Sequence, residues 1–278
     1  MMEPEMKPET KPEMTRSRGD SGPGRLFVDV GVYQRRKSTE HAYGDVFVSR
    51  RISEEGRLIA VLSDGLGSGV KAGILAGMTA TMALRFTAAE LDILRSAEVI
   101  MDALPVCQVR HISYATFSII DCHADGTGRI IEEGNPEFIH LRGNARARTQ
   151  THRPDGQIPE EDASENEISE EGASEPAKQI LPSTKWPDRR LLVSTLRFEA
   201  GDRLIFCSDG VTQAGLGSDA WPLGWRREGL LAFVRQVVHD QPEIPSRQLA
   251  REIVDEAIRH EPGRVAKDDT SAVVFHFR

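Results

Sequence analysis

The stretch from Arg57 to Phe86, RLIAVLSDGLGSGVKAGILAGMTATMALRF, restricts the fold more than any other part of the chain. Arg57 to Ser63 is a short apolar run rich in Leu, Ile and Val, with the length of a buried strand. Asp64 then ends the strand in a Gly-rich turn. From Ser68 the period changes, because Val70, Ile74, Met78, Met82 and Phe86 recur every fourth residue, which is one face of a helix. A strand therefore delivers a carboxylate and feeds a helix. Glycines beside the carboxylate bare the backbone, which suits either a metal ion or a phosphate.

The rest of the sequence narrows that choice. At 278 residues the chain can hold one large or two small domains and bury a substantial core. The apolar helix Val70 to Phe86 carries Lys71 and Arg85 and is too short to span a bilayer, so no membrane association is expected. Glycines 65, 69, 73 and 77 fall four apart, which reads as close packing against a sheet rather than as a membrane dimer motif. Residues 1–24 open with MMEPEMKPETKPEM, alternating Pro with charge and lacking an apolar core, and are expected to be a disordered tail rather than a signal peptide. Cys107, Cys122 and Cys207 show no paired spacing and lie in or beside apolar runs, as reduced cysteines of a cytoplasmic protein do. No histidine pair has zinc-ligand spacing. The net charge of -8 is concentrated in one place: between Arg153 and Lys178 there are nine acids and no Lys or Arg. Without these nine the chain is nearly neutral, and nucleic-acid binding has no electrostatic support.

Taken in order, Leu26 to Val32 alternates as a half-buried strand, and a polar loop from Tyr33 to Asp45 carries Arg35, Arg36 and Lys37. Val46 to Ile52 is a second strand, joined by Glu54-Glu55-Gly56 to the strand at Arg57. A second helix, with Leu91, Leu94 and Val99, runs to about Leu104, where Pro105 ends it. His111 to Asp121, Gly128 to Glu133 and Glu137 to Arg142 read as an antiparallel meander. Residues at about 144–188 are poor in apolar side chains and are expected to be a flexible acidic insert within a domain spanning 25–278. Strands at Leu191 to Phe198 and Arg203 to Ser208, helices at about Arg227 to His239 and Ser246 to His260, and a closing strand at Ser271 to Phe277 complete the chain.

An internal echo ties the strands together, since RLIAVLSDG at Arg57 recurs as RLIFCSDG at Arg203. Both strands end in Ser-Asp-Gly, whereas Asp45 and Asp268 with Asp269 stand at strand beginnings. If strands ending in Asp run antiparallel to strands beginning with one, the carboxylates gather on one rim and repel one another unless cations sit among them. Hard divalent ions take such oxygen donors, and Gly65 lets a main-chain carbonyl approach. Gly67, Gly69 and Ala72 also fit the dinucleotide pattern G-x-G-x-x-A, but the acid-ending second strand that pattern needs is replaced here by helix. No Gly-Lys-Ser/Thr makes a P-loop.

Gly44-Asp45, Asp64-Gly-Leu-Gly-Ser-Gly with Lys71-Ala72, Asn135-Pro136, Ser208-Asp209-Gly210-Val211 and Asp268-Asp269-Thr270 stand in the order found in PPM phosphatases. In these motifs the chain resembles the metal-dependent, protein phosphatase 2C-like serine/threonine phosphatases, in their SpoIIE-like bacterial branch, over about Phe27 to Phe277 apart from the acidic insert. The resemblance implies an α+β fold, a four-layer α-β-β-α sandwich of two mainly antiparallel sheets flanked by helices. It implies two Mn2+ or Mg2+ ions held by Asp45, Asp64, Gly65, Asp209 and Asp268. Asp64, Asp209 and Asp268 are then the catalytic acids, Asp269 supports Asp268, and Arg35 or Arg36, with Lys37, are the candidates by position for holding phosphate. The implied reaction is hydrolysis of phosphoserine or phosphothreonine by water that the two ions activate. Leu66 stands where many eukaryotic relatives place a candidate general acid, His. The implied partners are a phosphoprotein substrate of the anti-sigma-factor antagonist class and a separate regulator or a second copy of the chain. The alternative function is a non-catalytic phosphoprotein-binding module of the same fold, against which the retained acids argue, because clustered like charges give a binding module nothing.

Overall fold

The computed structural model describes residues 25–103, 115–143, 177–182 and 190–278. Among the described residues ten strands form two sheets. The first has the order β1 (Val28–Arg35), β10 (Thr270–Phe277), β9 (Arg203–Cys207), β6 (Ile139–Leu141). The second has the order β2 (Asp45–Ile52), β3 (Arg57–Gly65), β4 (Ala115–His123), β5 (Thr127–Glu133), β8 (Arg190–Arg197), β7 (Ala177–Pro182). Every pairing is antiparallel.

Side-chain alternation explains the layering. On β3, Leu58, Ala60 and Leu62 join Val273, Phe275 and Phe277 of β10 in a core between the sheets. The intervening Ile59 and Val61 face the other way, under helices α1 (Gly69–Ala88) and α2 (Ile93–Ala103). On β10, Ala272 and Val274 pack beneath α4 (Arg226–Asp240) and α5 (Ser246–His260). Central strands are thus buried on both faces, which is why they read as unbroken apolar runs. The result is the expected α+β sandwich, helices outside and two antiparallel sheets within.

Several expectations need correction. Tyr33 to Arg35 belong to β1, which pairs with β10 through Arg35↔Thr270, so the polar loop starts at Arg36. The three-strand meander does not form: β4 and β5 pair, but β6 crosses to the other sheet and pairs with β9. The segment read as an insert contains β7, which hydrogen-bonds along β8, so the loop reading fails for 177–182. The tail 1–24, Cys107 and residues 104–114 and 144–176 lie outside the described residues. Cys122 and Cys207 are buried and unbridged.

The helix after Asp64 forms as expected, but the first half of its bulky stripe points away from the sheet, while Met82 and Phe86 pack against the core. Val70, Ile74 and Met78 are 63%, 58% and 46% exposed, whereas Ala72, Ala76, Ala80 and Ala83 are buried. Small residues let the axis lie close to the strands. A Cβ on Gly65 would stand 2.3 Å from the Ala72 carbonyl oxygen, and one on Gly73 2.4 Å from that of Tyr43. In α2 likewise Leu91 (just before it) and Val99 are exposed while Ala97, Ile100 and Met101 are buried. Among the described residues no helix is long and apolar enough to cross a membrane.

Candidate functional site

The acids meet where one end of each sheet reaches the gap between them. Asp64 follows Leu58, Ala60 and Leu62 in the alternation, so it is directed into that gap at the strand's last turn of pleat. Asp45 is the first residue of β2 and sits directly opposite Asp64, which puts both carboxylates on one face. The other sheet answers from β10, whose Ser271 donates its hydroxyl to Asp45 Oδ2 at 2.6 Å. Ser208, at the end of β9, accepts the Ser271 N–H at 3.0 Å and donates to the Asp269 carbonyl oxygen at 3.4 Å. Neither hydroxyl was assigned a role from sequence, although Ser208 lies in the repeated Ser-Asp-Gly that pointed to it.

The remaining acids close the rim. Asp209 opens the short helix α3 (Asp209–Thr212) and accepts a hydrogen bond from Gln213 Nε2 at 2.9 Å. Asp268 accepts the Asp269 N–H at 2.9 Å. Asp269 is buried and accepts the backbone N–H groups of Lys37 at 3.1 Å and Gly44 at 3.0 Å. Gly44 in turn accepts the Gly65 N–H at 3.3 Å. Asp269 therefore supports more than its neighbour Asp268, because it anchors the loop that delivers Asp45. Gly65 has a further duty beyond baring its carbonyl, since α1 occupies the place of its missing side chain.

These carboxylates strain against one another. Asp64 is pushed up to about 10, first by burial and then by the charges of Asp45 and Asp209, with Asp268 adding to it. Burial pushes Asp45 up to about 6, against the hydrogen bonds from Ser271 and Ser208. Asp268 is raised too, by burial and then by Asp209 and Asp269, with Lys37 opposing. Asp45 Oδ1 is buried with no hydrogen-bond partner, which is costly unless something else binds it. Among the described residues no three His, Cys, Asp or Glu side chains already enclose a metal position. The chemistry of the donor set nevertheless suits a hard cation: oxygen ligands only, an orphaned carboxylate oxygen, and negative charge without enough compensation.

The two arginines that are candidates for holding phosphate have other side-chain partners. Arg35 sits 3.5 Å from Asp255 of α5, and Arg36 donates to the His41 carbonyl oxygen at 3.2 Å. Lys37 reaches the rim, with Nζ 3.5 Å from Ser68 Oγ and its charge acting on Asp268.

Comparison with known proteins agrees with this architecture. Residues 180–278 match the family model described as Stage II sporulation protein E, SpoIIE. No curated protein sequence matches significantly. Among solved structures, the PP2C phosphatase domain with a fragment of the regulatory domain of SpoIIE from Bacillus subtilis superposes with a TM-score of 0.62 at 17% identity, covering 91% of this chain and 64% of that one. A Mycobacterium tuberculosis structure of RsbU and RsbW domains gives 0.60 at 18% identity, covering 92% and 61%. The chain thus spans less than two thirds of either. The catalytic domain of the serine/threonine phosphatase PstP in complex with two manganese ions gives 0.50 at 16% identity, covering 91% and 99%. Sheets, flanking helices and these superpositions together give this chain a PP2C-like phosphatase fold, whose C-terminal part, residues 180–278, is similar to SpoIIE.

Proposed function

We propose that the chain is a metal-dependent protein serine/threonine phosphatase that removes phosphate from phosphoserine or phosphothreonine of a regulatory protein. The observation that carries this reading is the arrival of Asp45 and Asp64 from one sheet, and Asp209 and Asp268 from the ends of the other, at a single rim where burial and then these charges raise Asp64. Asp64 and Asp45 would hold one side of a divalent pair, Mn2+ or Mg2+, with the Gly65 carbonyl beside them, and Asp209 and Asp268 the other. When bound, such a pair supplies a water nucleophile effective at neutral pH and neutralises phosphoryl charge.

The chain's own groups do the rest. Ser271 fixes one Asp45 oxygen and leaves the other free for a ligand. Asp269 holds the Gly44 backbone so that Asp45 stays opposite Asp64. Lys37, rather than Arg35 or Arg36, is placed to attract a substrate phosphate toward the rim. The substrate class we assign is a phosphorylated anti-sigma-factor antagonist, as the resemblance to the SpoIIE-like branch implies; one similar structure holds RsbU and RsbW domains.

Hydrolysis of p-nitrophenyl phosphate with and without Mn2+ tests this. Turnover should require Mn2+ and fall at least about a hundredfold in Asp64→Asn and in Asp209→Asn. Undiminished turnover in both variants would overturn the site. The second reading, a phosphoprotein-binding module, draws on the lack of an enclosed metal position among the described residues. It predicts no turnover and no Mn2+ heat in calorimetry.

A further inference from the structure

Asn135 lies in the turn between β5 and β6, in the Gly134-Asn135-Pro136 sequence, and the reaction outlined above gives it no part. Its side chain is committed three ways. Nδ2 donates to the Leu62 carbonyl oxygen at 3.3 Å and to Ser118 Oγ at 3.1 Å, and Oδ1 accepts from Thr116 Oγ1. Leu62 lies two residues before Asp64 on β3, and Ser118 and Thr116 are the β4 residues paired with Leu62 and Asp64. Thr116 Oγ1 also comes within 3.5 Å of the Asp64 carbonyl oxygen, and the Thr116 carbonyl accepts the Ser63 hydroxyl at 2.7 Å. One amide thus ties the last turn of pleat on β3 to its partner strand, immediately behind Asp64 and Gly65. The close approach is prepared by Gly134, at φ +77°, where a Cβ would stand 2.5 Å from Thr116 Cγ2.

We infer that Asn135, acting through Thr116 and Leu62, is a positioning residue that fixes the end of β3 so that the Asp64 carboxylate and the Gly65 carbonyl are presented together to a divalent cation. The inference rests on the proposed metal-binding role of Asp64. Only an amide satisfies this junction, because it must donate to a carbonyl and a hydroxyl while accepting from another hydroxyl. Aspartate has the same shape but has no proton to give Leu62 when ionised, and it adds a charge next to an acid that is already hard to ionise. Groups that orient ligands from behind typically set metal affinity by factors of ten to a hundred.

The test uses the full chain, with Asn135→Asp and with Thr116→Val, which removes the hydroxyl and keeps a β-branched side chain of strand-forming shape. Mn2+ affinity is measured by calorimetry below each variant's melting temperature, and turnover is measured as a function of Mn2+ concentration. We expect each variant to bind Mn2+ at least about tenfold more weakly, with most of the maximal turnover recovered at saturating Mn2+. A residue that only stabilises the fold would lower the melting temperature and leave Mn2+ affinity unchanged, and unchanged affinity in folded Thr116→Val overturns the inference. Wild-type protein that binds no Mn2+ overturns the metal site and this inference with it, whereas wild-type binding with unaltered variants overturns this inference alone.

Discussion

Asp64 is useful to the proposed reaction and harmful to the fold for the same reason. Buried beside Asp45, Asp209 and Asp268, its carboxyl rises from the ordinary value near 3.8 to about 10. Between those values the folded chain holds a proton that the unfolded chain has released, so stability is fully present below the unfolded value and declines as pH rises toward the folded one. A neutral side chain of the same shape escapes this cost. Asp64→Asn should therefore melt a few degrees higher than wild type when both are metal-free at roughly pH 7.5, and Mn2+ should stabilise only the wild type. Differential scanning fluorimetry with and without chelator checks both halves, and a metal-free variant that melts lower would contradict the charge argument. Sequence exposed these acids because each sits at or beside a strand end, and Asp45, Asp64 and Asp209 adjoin Gly or Ser. It did not expose Ser271 reaching Asp45 or Asn135 reaching Leu62, since both contacts join residues brought together only by pairing of distant strands.

At the scale of elements, close approach between helix and sheet shapes both sides of the molecule. Helix α5 begins against β1, where a Cβ on Gly31 would fall 2.0 Å from the Arg247 backbone nitrogen and 2.1 Å from the Ser246 carbonyl carbon. Backbone atoms cannot swing aside as a side chain can. Gly31→Val should cost at least about 3 kcal/mol, read from the urea midpoint, because the start of α5 must leave the sheet together with the Ser246–Asp29 hydrogen bonds that fasten it. The same economy of space explains why α1 was legible as a helix but its buried side was not. Period four located the helix, while the bulky residues drew attention to Val70, Ile74 and Met78, which face outward. Alanines and glycines pack inward, and hydrophobic size is a poor guide where two backbones nearly touch. Strand β6 escaped its correct sheet for another reason: three residues carry too little pattern to choose between neighbours.

For the whole molecule, the core between the sheets and the two helix-covered cores are built from residues 25–103, 115–143 and 190–278 together, with β7 extending one sheet edge. The nine acids from Asp155 to Glu175 lie outside the described residues, in a stretch poor in apolar side chains. Deleting Asp155 to Glu175 should leave Mn2+-dependent turnover of p-nitrophenyl phosphate unchanged. Extending the deletion through Pro182 removes β7 as well and bares the edge of β8, so the longer deletion should melt at a lower temperature. Equal melting temperatures for the two would show that β7 adds nothing to the sheet. The central strands were legible because burial on both faces leaves no room for polar residues, whereas the edge strand β7 was not. The polar contacts that join the two sheets at the rim were not legible either, because they link residues far apart in sequence.

One of those contacts, Ser271 to Asp45, runs from one sheet to the other. The proposed ligands are divided in the same way, two acids to each side. An ion held there would act as a rivet through a laminate, so its residence time and the rate at which the two plies separate become one quantity. Whatever wedges the plies apart at that end would unload the ion without touching a single ligand, and whatever clamps them would switch the chemistry on.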